Sequence, residues 1–573
     1  MVASAALRIV YFVELDATPI IAMHQCRECD MSYYDSWGRA VAGGDWLSRS
    51  VGVPMHSWHN EVADSFLSTH PDERAKLAER AAGDASAPTA EAQLWARWNG
   101  AHQFYQDPLY PYLVGLTYTL FGPTPRFVFA WQLAFGAAGN VLLYLITRRF
   151  FGELAGVAAA VLAVLCAPLL SYELLLLRDS LIVFAGLWLV WITDFAVVRQ
   201  RPIWFAVLGL SLGLAMLLKS TFLLFAILVG VALVWQYRDR RRDLARVVAP
   251  LAAGLAAALG PVAVRNVALG VSPFAWAGSG TLTFVAATDI NYPPTGGFYV
   301  DNAHVADVLG NSDGRFLPAA LAVIGTHTPG TFASLVWHKI DNAWHWYEIP
   351  NMVSFYYMRR LAPVLAWLPV TFYIVAPLAL VGLAVGWQRR QEAWPLYALA
   401  VCLFVSLAGF LVLGRLRAAL IAAAIPFAAL TIATCIRGRT PARMAIVASV
   451  VALIMWTGRP LATGVPLIPV SDWLTPFAVE YQDRIKRALD AGDRAGAAAA
   501  YADFLRYEPP FSEMPTSGAV LVNGTDRELA RTFAQTHAVV SELLRGLGRA
   551  ADAQAHIQRA TALLELAGIS VRT

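Results

Sequence analysis

The chain of 573 residues is 57% hydrophobic and 15% charged, with a mean hydropathy of +0.51. Soluble domains carry about 25% charged residues, so this composition excludes a soluble enzyme and a disordered chain. The formal net charge of +4 is too small to indicate a nucleic-acid partner, and the apolar excess suffices for about ten membrane spans of about 20 residues each.

The first apolar stretch is short. Residues 2–15 include Arg8 and therefore predict only a weak first span. A cleaved signal peptide is the alternative, although no small-residue cleavage site precedes the following loop. A start codon placed too late would also shorten this span.

Segment 16–108 is predicted to be an external loop with an amphipathic helix near its start. Apolar and aromatic side chains recur there at helical spacing, at Met31, Tyr34, Trp37 and Val41. Asp30 precedes them. It is either the acidic group of a site or an ordinary helix cap, because the first amides of a helix lack partners.

Two cysteines stand just before this helix. Cys26 and Cys29 form a CxxC near several histidines. A metal site is conceivable, but a disulfide or two unmodified thiols fit better because the chain has no second CxxC.

Aromatic residues alternate with polar ones near the end of the same segment. His102, Tyr105 and Asp107 lie in this stretch. The composition suits a polar, ring-shaped ligand better than a packed core, although Tyr and Trp are also ordinary anchors at the membrane interface.

Ten further apolar runs follow, each closed by a short polar or basic connection. They lie at residues 125–146, 153–172, 180–198, 203–218, 221–236, 244–264, 363–385, 395–413, 418–436 and 444–459. Lys and Arg accumulate in alternate short loops, which the positive-inside rule assigns to the cytoplasm. Segments 16–108 and 266–362 and the residues after 460 are then external. The predicted fold is an all-α polytopic membrane protein with about eleven transmembrane helices and mixed external loops.

Ionisable side chains stand at the external ends of these spans, where they are costly and usually functional. Glu173 precedes Arg178 and Asp179 in a short external turn, and the other basic residues are Lys219, Arg265, Arg415 and Arg417. Each of these four could be a snorkelling anchor. Together, on the side that is normally poor in positive charge, they suggest a bound anion such as a lipid phosphate.

The second external segment, 266–362, ends in a stretch rich in His, Trp and Tyr that contains Glu348. This stretch fits an interfacial belt and a carbohydrate pocket equally well.

The tail becomes rich in Ala, Arg, Asp and Glu from about residue 470. Two predicted helix pairs, 475–507 and 525–566, carry small residues at a repeat of about 34, as in tetratricopeptide (TPR) units. An Ala-rich helical hairpin fits nearly as well. We expect residues 460–573 to form an external TPR-like helical domain that could recruit a protein partner.

The order of these features resembles a known family. Asp30 begins a juxtamembrane helix, and it is followed by Asp107-Pro108-Leu109-Tyr110, Tyr172-Glu173, Arg265-Asn266 and Gly414-Arg415-Leu416-Arg417. Over most of residues 1–440 this order is similar to the bacterial GT-C glycosyltransferases (family 39-like) related to the protein O-mannosyltransferases and the lipid A aminoarabinose transferases.

The resemblance implies a GT-C-type catalytic domain over residues 1–459 in the bacterial cytoplasmic (inner) membrane, with its site on the periplasmic side. The implied activity is an inverting transfer of a sugar from a polyprenyl-phosphate donor to a glycan, lipid or protein hydroxyl of the envelope. Membrane lipid is then a partner and nucleic acid is not.

The resemblance also implies roles for the residues singled out above. Asp30 is expected to be the catalytic base, Arg265, Arg415, Arg417 and Lys219 to bind the donor phosphate, and Tyr34, His102, Tyr105, Asp107, Glu173 and Glu348 to bind acceptor or sugar. Met31 follows Asp30 where the eukaryotic mannosyltransferases have a second acidic residue. Protein mannosylation is therefore less expected, and no metal or cofactor is expected, although a divalent metal is not excluded.

Two other classes of protein fit the composition. A transporter or flippase of lipid-linked sugars also needs many spans, but such proteins tend to place charges near the bilayer midplane rather than at span ends. A scaffold that recruits partners through its tail would leave the acidic and aromatic first loop without a role.

Overall fold

The computed structural model is helical throughout its regular structure. It describes residues 2–27, 29–50, 52–81, 88–438, 440–461, 467, 472, 481, 483–507, 534, 537–538, 541–542, 544–545, 549–566 and 568. Over these residues, β pairing is limited to the isolated bridges Cys166–Val370 and Asn351–Val353.

The N-terminal helices precede the membrane domain. They are α1 (Val2–Asp16), a 3-10 helix (Pro19–Gln25), α2 (Asp30–Ala42), α3 (Ser57–Thr69), α4 (Pro71–Ala81) and α5 (Ala90–Asn99). Helix α2 begins at Asp30, as the spacing predicts, and buries Met31, Tyr34, Trp37 and Val41 along one face.

The first half of the membrane domain follows. Its helices are α6 (Leu109–Phe121), α7 (Pro125–Phe151), α8 (Glu153–Val164), α9 (Ala167–Ser171), α10 (Asp179–Arg199), α11 (Pro202–Leu218), α12 (Phe222–Tyr237) and α13 (Arg241–Ala268).

The remaining helices form the second external segment, the second half of the membrane domain and the tail. They are α14 (Ser279–Ala287), α15 (Asn302–Ser312), α16 (Phe316–Gly325), α17 (Pro329–Trp344), α18 (Phe355–Leu361), α19 (Pro363–Trp367), α20 (Phe372–Gly386), a 3-10 helix (Trp387–Arg389), α21 (Trp394–Gly409), α22 (Gly414–Arg437), α23 (Thr440–Thr457), α24 (Asp483–Asp490), α25 (Arg494–Tyr507) and α26 (Ala550–Leu566).

Six of the described helices are long and apolar enough to cross a membrane: α7, α10, α13, α20 with its 3-10 turn, α22 and α23. The polytopic helical fold is thus confirmed. Helices α16 and α17 would add a seventh span if taken together, but they bend by 110°. Four other predicted spans are shorter apolar helices, α8, α11, α12 and α21. The count of about eleven stays a prediction.

Two predicted spans are broken. Run 153–172 divides into α8 and α9, and run 363–385 divides into α19 and α20. The breaks face each other, because the Ala167 amide donates to the Val370 carbonyl at 3.0 Å and the Val370 amide donates to the Leu165 carbonyl at 3.2 Å. Backbone groups freed by a break inside a membrane need such partners.

Helix α22 is the central helix, since 72% of its most apolar window is buried, against 11% for α23. Helices α3, α5, α14 and α15, which belong to segments 16–108 and 266–362, share a second hydrophobic core built on Trp58, Leu94, Trp95, Val285 and Leu309. Each large apolar side chain buried there contributes about 1.5–3 kcal/mol. This core fixes the helices of the two segments against one another.

The described part of the tail is mainly helical. Helices α24 and α25 fall within the predicted pair 475–507, and α26 falls within 525–566. The rest of both pairs lies largely outside the described residues, and the TPR-like repeat stays a prediction.

Candidate functional site

A cavity of about 470 Å³ lies between segments 16–108 and 266–362 and the ends of the spans that adjoin them. This volume is in the usual range for small-molecule sites. Its ionisable lining residues are Asp30, His56, His59, Arg178, Lys219, Arg415 and Asp472. The predicted residues Asp30, Lys219, Arg415 and Tyr105 therefore meet at one place, although they are far apart in the sequence.

Asp30 and Arg415 form the centre of this cluster. Asp30 lies in the first turn of α2 and Arg415 in the first turn of α22. Arg415 Nη2 donates to Asp30 Oδ2 at 2.9 Å, and its Nε donates to Asn351 Oδ1 at 2.6 Å. Its Nη1 lies 3.5 Å from Asp179 Oδ2. Three acceptors thus hold the guanidinium at the cavity wall.

His56 is the second partner of Asp30. Its Nε2 lies 3.4 Å from Asp30 Oδ1, and its Nδ1 lies 3.3 Å from the Arg27 carbonyl. Burial opposes ionisation of Asp30, but the hydrogen bond from His56 and the charge of Arg415 outweigh it and hold the pKa of Asp30 well below its usual value. Asp30 is therefore a carboxylate in the unliganded site.

A second group of charges is built around Arg178, the residue before α10. Arg178 Nη1 donates to Asp107 Oδ2 at 2.7 Å, and Nη2 donates to Gln106 Oε1 at 2.9 Å. Asp107 Oδ1 also accepts from the Ser220 amide at 2.9 Å. Asp107 therefore fixes Arg178 and the break between α11 and α12, rather than presenting its carboxylate to the cavity.

Lys219 occupies that break and lines the cavity. Among the described residues, its ammonium group has no carboxylate within ion-pair distance. Burial, together with the charge of Arg178, lowers the pKa of Lys219 to about 8. It is the cation most available to a ligand near neutral pH.

The aromatic wall carries the predicted Tyr105. Its hydroxyl lies 3.0 Å from His59 Nε2, and Trp58 stacks on the His59 ring at 3.7 Å. Burial lowers the pKa of His59 well below its ordinary value, so this ring is neutral. Tyr34 is instead buried behind the wall, with its ring 5.1 Å from that of Tyr110.

Arg265 and His102 lie away from the cavity. Arg265 Nε donates to the Leu47 carbonyl at 2.9 Å and Nη1 donates to the His102 carbonyl at 2.5 Å, while the guanidinium covers the Phe104 ring at 4.0 Å. The His102 side chain is exposed. Arg265 joins the two ends of the first external segment, and we do not retain it as a phosphate ligand.

Arg417 and Glu348 form a buried ion pair, with Nη2 2.9 Å from Oε2 and both side chains 1% exposed. Arg417 also donates to the carbonyls of His345 and Tyr347, at 2.6 and 2.8 Å. Its donors are directed at the loop after α17 and not at the cavity. The structure therefore places neither residue where a substrate could touch it.

Glu173 is buried against α1. Its carboxylate accepts from Arg8 Nε at 2.8 Å and from Arg8 Nη2 at 2.5 Å. This pair explains how the apolar helix α1 can carry an arginine, because each charge neutralises the other. Glu173 is not among the residues that line the cavity.

Sequence reasoning missed His56 and Asn351 as site residues and noted Arg178 and Asp179 only as flanks of a turn. Arg178 breaks the positive-inside rule as Lys219 and Arg415 do, so that signal was present. His56 gave no local signal, since it reaches Asp30 only through the packing of α3.

Cys26 and Cys29 are not joined by a disulfide, and the Cys29 thiol donates to Cys26 Sγ at 2.9 Å. The described residues contain no group of three or more His, Cys, Asp or Glu side chains arranged to hold a metal ion.

Comparison with known proteins identifies one family over part of the chain. Residues 106–264 match the model of the dolichyl-phosphate-mannose-protein mannosyltransferase family. The predicted resemblance is confirmed. The matched segment, less than half of the chain, contains Asp107, Arg178, Asp179 and Lys219, whereas Asp30 and Arg415 lie outside it. No curated protein sequence matches the chain.

The chain also has a distant similarity to solved structures, among them the two that follow. One is the archaeal oligosaccharyltransferase AglB from Archaeoglobus fulgidus in complex with an inhibitory peptide and a dolichol-phosphate, at 15% identity, 74% coverage of this chain and a TM-score of 0.38. The chain spans about half of that protein's length, 54%. The other is ArnT from Cupriavidus metallidurans bound to undecaprenyl phosphate, at 16% identity, 95% coverage of this chain, 79% of that chain and a TM-score of 0.40.

Proposed function

We propose that the protein is a glycosyltransferase that moves a sugar from a polyprenyl-phosphate donor to a hydroxyl group outside the cytoplasm, with inversion at the anomeric carbon. The observation that carries this proposal is one cavity whose lining includes the Asp30 carboxylate, its partner Arg415, and the cations Lys219 and Arg178. The mannosyltransferase family match over 106–264 supports the reaction class.

The cations suit a phosphate leaving group. A sugar phosphodiester carries one negative charge, and breaking the glycosidic bond adds a second to the departing phosphate. Lys219 and Arg415 both line the cavity and can stabilise this developing charge. Arg178 contributes at longer range, because its own donors are engaged by Asp107 and Gln106.

Asp30 suits the role of general base. In an inverting displacement, a carboxylate takes the proton of the acceptor hydroxyl while the oxygen attacks the face opposite the leaving group. The depressed pKa of Asp30 makes it a weak base as long as Arg415 is its partner. A donor phosphate that engages Arg415 would withdraw this partner and raise the basicity of Asp30, so donor binding would prepare the base.

Sugar and acceptor would bind between the cations and the aromatic wall. Trp58, Tyr105, Gln106 and Asn351 all line this part of the cavity. Flat rings and amide groups are the partners that a sugar ring and its hydroxyls need. The acceptor would be a glycan or lipid of the envelope, and the protein would lie in the bacterial inner membrane with the cavity on its periplasmic side.

The direct test uses purified protein in detergent, a polyprenyl phosphate carrying a radiolabelled sugar, and an envelope extract as acceptor. A glycosyltransferase releases polyprenyl phosphate and labels the acceptor. Mass spectrometry of lipid-linked sugars and envelope glycans from a deletion strain then identifies sugar and acceptor. Intact labelled lipid after prolonged incubation would contradict the proposal.

A transporter or flippase of lipid-linked sugars is the alternative. It would move the intact donor across a vesicle membrane and leave the sugar–phosphate bond unbroken. The same labelled donor therefore distinguishes the two functions by whether free polyprenyl phosphate appears.

A further inference from the structure

A second cavity of about 520 Å³ lies at the other end of the bundle, between α7, α10 and the start of α11. The residues that define its chemistry are Arg149, Trp191, Asp194, Phe195, Arg199 and Arg201. We call it the basic groove. The proposed reaction does not use it.

The basic groove is remote from the proposed active site. Asp179, which contacts Arg415, begins α10, and Arg199 ends it 20 residues later. At 1.5 Å per residue the two ends are about 30 Å apart, which is the thickness of the hydrocarbon core of a bilayer. The groove therefore opens at the opposite membrane face, and its three arginines mark that face as cytoplasmic.

The charges of the groove do not cancel. Arg149 Nε donates to Asp194 Oδ2 at 3.1 Å, which neutralises one arginine. Arg199 lies over the Phe195 ring at 5.1 Å. Across the part of the chain that the structure describes, neither Arg199 nor Arg201 has a carboxylate within ion-pair distance. Two guanidinium groups are left for a ligand.

The turn between these two arginines is fixed in place. Gln200 has a left-handed backbone, with φ of 54°. Its side-chain amide donates to the Val197 carbonyl at 2.5 Å and also contacts the Tyr237 hydroxyl of α12. Arginines that only anchor a helix at the membrane surface do not need a fixed turn between them. A binding site gains from a fixed turn, because less conformational freedom is lost when the ligand binds.

The wall beside the arginines is apolar. Trp191 and Phe195 stack at 5.0 Å, and Leu145 and Val198 are 38% and 56% exposed. These side chains belong to the membrane-spanning helices α7 and α10. The combination of two free guanidinium groups and a hydrocarbon-facing wall fits an amphiphile with an anionic head.

We infer that the basic groove binds a lipid with an anionic phosphate headgroup in the cytoplasmic leaflet. Arg199 and Arg201 donate to the phosphate oxygens, for which the planar guanidinium is well shaped. One hydrocarbon chain lies along Trp191, Phe195 and Leu145. Phosphatidylglycerol and undecaprenyl phosphate share this chemistry.

Native mass spectrometry of the purified full-length protein tests the inference with phosphatidylglycerol, undecaprenyl phosphate and, as a neutral-head control, phosphatidylcholine. We expect the double variant Arg199→Ala/Arg201→Ala to bind phosphatidylglycerol about 30-fold more weakly than wild type. Arg238→Ala/Arg240→Ala removes the same charge from another loop on that face and should change nothing. Binding of both phosphatidylglycerol and undecaprenyl phosphate by the groove variant as tightly as by wild type would overturn the inference.

The binding that the Arg199→Ala/Arg201→Ala variant loses distinguishes phosphatidylglycerol from undecaprenyl phosphate as the ligand of the groove. Loss of undecaprenyl phosphate binding, with phosphatidylglycerol binding retained, would assign the groove to the carrier lipid, and the reverse would assign it to phospholipid. Tryptophan fluorescence in nanodiscs gives a readout that needs no substitution. Brominated phosphatidylglycerol should quench more than brominated phosphatidylcholine, and equal quenching would count against a headgroup site.

Discussion

Lys219 is the residue at which pH should act on donor binding. Burial and the nearby Arg178 lower its pKa to about 8, so it is charged below that pH and loses its charge above it. We predict that the KM for the donor rises about tenfold between pH 7 and 9, since a charged hydrogen bond to the phosphate is lost. In Lys219→Arg the KM should stay flat. The same rise in both proteins would remove Lys219 from the phosphate site.

Arg415 and Arg417 are two residues apart, but their substitution by Ala should have different effects on donor affinity and on stability. Arg415→Ala removes a cation from the cavity, and we expect donor affinity to fall about tenfold or more with little change in Tm. Arg417→Ala leaves Glu348 buried without its cation, so we expect a loss of about 3–5 kcal/mol in stability. Donor titrations and thermal unfolding separate the two effects. A normal Tm for Arg417→Ala would contradict its structural role.

The sequence predicts the part of the candidate site in which ionisable residues stand at span ends, where they are unusual. Asp30, Lys219 and Arg415 were found because ionisable groups at external span ends need a reason. The same signal also selected Arg265, Arg417 and Glu173, because sequence does not show where a side chain points. Their guanidinium and carboxylate groups face backbone carbonyls or a buried partner of opposite charge.

At the scale of elements, close helix contacts at glycine determine how the bundle packs. A methyl group at Gly209 of α11 would collide with the Leu251 carbonyl of α13, and one at Gly254 would collide with the Ala206 carbonyl. Small residues allow membrane helices to approach in this way. We predict that Gly209→Ala lowers the Tm and the yield of folded protein.

Gly230→Ala is the matched control for this prediction. Gly230 lies in α12 of the same bundle, and an added methyl there would meet no atom within 4 Å. This variant should fold as the wild type does, or slightly better, because Ala favours helix over Gly. Equal thermal stability of the Gly209 and Gly230 variants would show that the α11–α13 contact can relax.

Apolar runs predicted the positions of the helices but not their breaks. The interruption at Lys219 was visible because a charge marks it. Those between α8 and α9 and between α19 and α20 lie within apolar sequence, where Val370 accepts from the Ala167 amide and donates to the Leu165 carbonyl. A pairing between residues two hundred positions apart leaves no trace in local hydropathy.

At the scale of the molecule, Asp472 is the residue through which the described part of the tail reaches the cavity. Asp472 lines the cavity, and its carboxylate accepts from the Ser354 amide. A truncation at 470 would therefore disturb the site. We predict that a chain ending at residue 482, which lacks α24, α25 and α26, keeps its transfer activity if the tail only recruits partners. Inactivity of this stably inserted chain would give the tail a catalytic role.

The general architecture followed from composition, whereas the exact number of spans and the tail repeat did not. Excess apolar residues require a membrane domain, and the long loops require an external layer. For short helices such as α8 and α21, length alone does not show whether the helix crosses the membrane.

The central claim is that Asp30 removes the acceptor proton while the cations hold the donor phosphate. The measurement that tests it most directly compares donor binding and sugar transfer in Asp30→Asn, with Asp45→Asn as the control from the same external segment. We predict that Asp30→Asn binds the donor at least as tightly as wild type but transfers sugar about 10²–10⁴-fold more slowly, the usual contribution of a general base. Asp45→Asn should match wild type. Transfer by Asp30→Asn at the wild-type rate would contradict the account.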